Sequence, residues 1–150
     1  MLSLRKLTLP LAIIALAGAL AGCATHGPTF QQMQSQMSTI PADQGRIIVY
    51  RSDSPFGAGL QPAIKVNGVK IGDSVPNSFV YVDRPAGDYE ISTSTEVKRS
   101  LSVTLAPQET KYVKTTVSMG FLVGHVSPEL VDEATGKAAI QTLHHLEDTE

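Results

Sequence analysis

The sequence contains no tryptophan, a single cysteine and only 5% aromatic residues among 150. One cysteine cannot form an intramolecular disulfide, so the fold must be held by its core. The shortage of rings argues against glycan recognition by stacking, which needs exposed aromatic faces. No Gly-x-Ser-x-Gly elbow marks an activated serine. Four histidines are too scattered for a metal site: His26 and His125 are isolated, and His144-His145 are adjacent. Neighbouring residues on a helix point about 100° apart, so that pair does not share a face as a helical zinc motif requires. It reads as a solvated helix end, and Asp132-Glu133 as a solvated face. Gly57, Gly59, Gly68 and Gly72 punctuate loops and a hairpin, without the strand-to-helix context of a phosphate cradle. Neither a cofactor nor a metal is expected.

What is present is 42% hydrophobic and 17% charged residues, the composition of one globular domain with a real core. The first residues differ in kind. Arg5 and Lys6 precede a run of apolar and small residues from Leu7 to Leu20, the pattern of a secretory leader. The run falls short of the roughly 20 apolar residues of a spanning helix. It leads into Leu20-Ala21-Gly22-Cys23, which resembles the lipobox of bacterial prolipoproteins. The resemblance implies that the Cys23 thiol receives a diacylglyceryl group, that the leader 1–22 is cut away, and that the new amino group is acylated. Several acyl chains make a stable anchor where one would be marginal. Ala24, in place of an aspartate retention signal, implies the outer membrane, with the domain facing the periplasm. The mature chain would carry 10 basic and 14 acidic residues, a net charge of −4, which suits neither nucleic acid nor anionic headgroups.

Residues 24–44 are rich in Gln, Ser, Thr and Met, and 23–44 reads as the lipidated end and a tether. Within it Phe30, Met33, Met37 and Ile40 fall at helical spacing, giving a short amphipathic helix that either flanks the domain or binds a partner. From 45 to 150 the texture is that of short strands. Arg46–Arg51 is a continuous apolar run of the kind buried on both faces, and central in a sheet. Asn67-Gly68 between Val66 and Val69 is a strong hairpin signal. Ser78–Asp83, the alternating Tyr89–Ser94 and Ser100–Leu105, and Thr110–Ser118 supply further strands, with Pro85 and Gly87 in one turn. The fold class is therefore all-β, an antiparallel sandwich of Ig-like or transthyretin-like type, with a short terminal helix over 137–146.

Arg46–Arg51, the Val66–Gly72 hairpin, Pro85–Ile91 and Thr110–Val113 resemble, in that order, the lipoprotein family called domain of unknown function 2846. The likeness spans 45–117 and implies a fold rather than a reaction. Two loops stand out as interaction candidates, 53–60 with Phe56 and Leu60, and 119–124 with Phe121 and Leu122. Both set apolar side chains between glycines, which marks either a contact surface or plugs for the open ends of the sandwich. The reading that follows is a lipid-anchored, non-enzymatic binding or scaffold module whose partners are the membrane, through Cys23, and an unidentified envelope protein. A small-ligand or lipid carrier, or an envelope enzyme, are the alternatives.

Overall fold

The computed structural model describes residues 27–147. Leu20, Ala21, Gly22 and Cys23, the leader before them and His26 lie outside the described residues. The elements are α1 (Phe30–Met33), β1 (Gln44–Arg51), β2 (Ala63–Val66), β3 (Val69–Asp73), β4 (Ser78–Pro85), β5 (Gly87–Ser94), β6 (Lys98–Leu105), β7 (Thr110–Ser118), β8 (His125–Val131), α2 (Glu133–Ile140) and β9 (His144–His145). They form two sheets, one in the order β8-β7-β1-β4-β9 and the other β3-β2-β5-β6. The expected sandwich is what the chain adopts.

The first sheet is mixed rather than wholly antiparallel. β1 runs parallel to β7 and β4 parallel to β9, while the remaining pairs are antiparallel. Between β1 and β7 the chain crosses to the second sheet and back, so their parallel pairing needs no crossover helix.

β1 is central and buried on both faces for a visible reason. Ile47 and Val49 point inward to a core with Ile64, Val66, Val80, Ile91, Val103, Leu105 and Val113. Ile48 and Tyr50 point outward into a second apolar layer with Phe30, Phe79, Tyr112, Ile140 and Leu143. That layer is built by α1 and α2, so Phe30, Met33 and Met37 flank the domain rather than face solvent. Thr29 caps α1 in a reciprocal pair with Gln32. The second sheet keeps a wet outer face carrying Lys65, Ser100, Ser102 and Thr104.

The hairpin turn has φ of 48° at Asn67 and 81° at Gly68, the two positive values of a type I′ turn. Asn67 also reaches β5, its Oδ1 accepting from the Glu90 N–H at 2.8 Å.

The terminal helix differs from its expected span of 137–146. It starts at Glu133 because Asp132 caps it, accepting the Thr135 N–H at 2.9 Å, and it ends at Ile140. His144-His145 accordingly is no helix end but a short strand beside β4. His145 lies against the rings of Phe79 and Tyr81, each with a centroid 5.3 Å away. His144 Nδ1 lies 2.8 Å from the Gly27 carbonyl oxygen.

Candidate functional site

Arg51, at the end of β1, faces Ser78, at the start of β4, and β7 runs alongside β1 in the same direction. The loops that leave or enter these strand ends therefore gather at one end of the sandwich, the upper end. They are 52–62 after β1, 74–77 before β4 and 119–124 between β7 and β8. The β5–β6 turn, 95–97, joins them, since Thr93 just before it donates to the Val126 carbonyl at the root of β8.

Two charged side chains fix these loops, Arg51 from within and Glu96 from the exposed β5–β6 turn. The buried Arg51 guanidinium donates to the carbonyls of Gly57 (2.7 Å), Leu60 (2.5 Å) and Ser74 (2.9 Å). Burial lowers its pKa from the ordinary value, and the three carbonyl dipoles stand where a counter-ion otherwise would. Glu96 Oε1 accepts the N–H groups of Leu122 (2.8 Å) and Val123 (2.7 Å). These bonds, that of Val123 foremost, hold the Glu96 carboxyl below its usual range, and the His125 imidazole 3.9 Å away adds to the effect.

The four candidate contact residues share this end but not one environment. Phe121 is 94% exposed and Leu122 84%, joined by Met119 at 81%. Phe56 is 53% exposed on the neighbouring loop, with Val97 at 48% across the β5–β6 turn. Leu60 is half-buried, and a methyl placed on Gly124 would stand 2.6 Å from its Cδ1, so it joins the two loops as a plug. Glu96, Arg51 and Val97 were not candidates on sequence grounds, whereas Met119 belongs to the candidate loop 119–124. A glutamate in a turn and an arginine ending a strand carry no local sign of the loops they hold.

The side chains that project from this end offer apolar contact. A cavity of 470 Å³ lies beside loop 52–62, walled by Asp53, Ala58, Gln61, Val75 and Asn77, with Asp53 as its one carboxylate. No histidine, serine or cysteine stands on that wall to pair with it. Among the described residues no group of three or more His, Cys, Asp or Glu side chains is placed to hold a metal. His125, His144 and His145 lie on β8 and β9, at opposite edges of the first sheet. None of the described helices is long and apolar enough to cross a membrane.

A mixed β-sandwich with helices docked on one face and an apolar loop cluster at one end is thus the class of molecule. The chain belongs to the protein family of unknown function DUF2846, which matches residues 41–127 and so takes in both apolar loops. An uncharacterized protein of Haemophilus influenzae is 29% identical over 136 residues, covering 88% of this chain and 80% of its own length. No solved structure matches the chain.

Proposed function

We propose that this chain is an outer-membrane-anchored lipoprotein of the bacterial cell envelope, whose sandwich is a non-enzymatic binding module that works through its upper end. The observation that carries the reading is the grouping of exposed Phe56, Met119, Phe121 and Leu122 on loops held by Arg51 and Glu96. Apolar side chains clustered on a surface mark contact sites, and loops already held in place lose little freedom on binding. The leader and the lipobox-like Leu20-Ala21-Gly22-Cys23 support the anchoring. Against the carrier reading stands the interior, where Ile47, Val49, Ile64, Ile91, Leu105 and Val113 pack against one another between the sheets.

The test is photo-crosslinking in living cells with a benzophenone side chain at 56, 121 or 104. Adducts to an envelope component are expected from 56 and 121 but not from Thr104 on the wet face of the second sheet. Adducts from 104 alone, or none from 56 and 121, would overturn the assignment of the upper end as the binding surface.

A further inference from the structure

We infer that the upper end meets the lipid bilayer itself, with Met119, Phe121 and Leu122 seated among the headgroups; this rests on the anchoring of Cys23 proposed above. The first argument is reach. Gly27 donates its N–H to the His145 carbonyl, and His145 pairs with Phe79, one residue from the upper end of β4. Cys23 precedes Gly27 by four residues, and an extended chain spans at most about 3.6 Å per residue, so a lipid on Cys23 stays within about 14 Å of that point. The upper end is about 3.4 Å away along β4, whereas its lower end at Pro85 is six residues or about 20 Å away. Acyl chains on so short a lead can enter a membrane beside the upper end or along the β9 edge of the first sheet, but not beyond the lower end.

The second argument is how the segment between β7 and β8 treats its own polar groups. It carries no charged residue from Met119 to Gly124. The N–H groups of Leu122 and Val123, which a water-poor interface would leave costly and unpaired, are taken by the Glu96 carboxylate of the β5–β6 turn. The side chains of the same stretch are turned outward. A bilayer favours such an arrangement, an apolar tip with the N–H groups of Leu122 and Val123 already satisfied by a side chain of the same protein. The mature chain's charge of −4 offers no attraction to anionic headgroups, so the contact is hydrophobic. Its consequence is orientation: the lipid keeps the protein at the membrane, and the finger sets the sandwich upright upon it.

The absence of tryptophan makes the test clean, because any introduced indole reports alone. Phe121→Trp and, on the hairpin of the second sheet, exposed Val69→Trp are made in the full mature lipoprotein. Each is reconstituted in phosphatidylethanolamine–phosphatidylglycerol vesicles with and without dibrominated phosphatidylcholine, then floated on a gradient. Both variants should float. Emission from Trp at 121 should shift to the blue and lose at least half its intensity to bromolipid, while Trp at 69 stays open to iodide. Flotation with both indoles open to iodide overturns the finger and leaves the anchor standing. Trp at 121 shielded from iodide yet insensitive to bromolipid overturns the bilayer in favour of a protein occupant. Bromolipid quenching at 69 but not at 121 overturns the upright orientation. Failure to float removes the anchor, and the bilayer contact falls with it.

Discussion

Gly136 of α2 sits so close to Tyr112 of β7 that a methyl added to it would stand 2.3 Å from the tyrosine Cβ. That approach lets Ile140 reach the outer core beside Ile48 and Tyr112. Gly136→Ala improves helix propensity by about 1 kcal/mol but overpacks the contact by about 1–3 kcal/mol. A net loss of up to about 2 kcal/mol is expected, read as a lower urea midpoint. A gain in stability would show that α2 can lift from the sheet at no cost.

The two apolar loops divide into a plug and a surface. Leu60→Asp buries a carboxylate against Gly124 and should cost about 1–3 kcal/mol. Phe121→Asp, at a fully projecting position, should leave stability within about 0.5 kcal/mol of the natural chain while removing the crosslinks from this end. Thermal melts of the two variants separate the roles, and equal losses would make Phe121 part of the core.

His145 sets a pH dependence. Burial against Phe79 and Tyr81 lowers its pKa below the ordinary value of 6.5, so the unfolded chain takes up the proton first. Stability is therefore full above pH 6.5 and declines as pH falls through that value towards the lower pKa of the folded state. Melting temperatures compared at mildly alkaline and mildly acidic pH should fall on the acid side, and His145→Gln should flatten this part of the profile. An unchanged slope in that variant would assign the effect to another group.

A chain starting at Gly27 should melt higher than one starting at Ala42. The shorter chain loses Phe30, whose burial with Ile48, Tyr50 and Phe79 contributes about 1.5–3 kcal/mol, along with the contacts of Met33 and Met37. Equal melting temperatures would mean that the flank adds nothing.

Cys23→Ala should accumulate as an uncleaved precursor, because the thiol is the lipid acceptor on which cleavage depends in the family its lipobox resembles. Globomycin should give the same precursor from the natural chain. The natural protein should then sediment with outer-membrane markers on a sucrose gradient, and normal maturation of Cys23→Ala would remove the lipoprotein reading.

One strand and one turn show why much of the fold was legible. Ile47-Ile48-Val49-Tyr50 lacks alternation, and a run apolar on both faces has to lie inside, so its central place could be read from four adjacent residues. Asn67-Gly68 needed only two, since each tolerates the positive φ of the turn. The C-terminal region was harder. Ala138, Ile140, Leu143 and Leu146 approximate a helical period, but Leu143 closes the outer core after the helix has ended, and His144-His145 extends because β4 offers an unpaired edge. Tertiary pairing outweighed a weak local pattern there.

By itself the sequence determined strands β1 to β7 but not β8 or β9, together with the hairpin, the double burial of β1 and the apolar character of the loops around Phe56 and Phe121. These follow from properties of adjacent residues, which are periodicity, backbone tolerance and hydrophobicity. Only the tertiary structure decided that those loops share one end, that Leu60 plugs while Phe121 projects, and that Glu96 holds the N–H groups of Leu122 and Val123. The reason is physical: Glu96 and Leu122 stand 26 positions apart, and they meet because β5 and β8 pack across the sandwich, a relation that neither residue's neighbours encode.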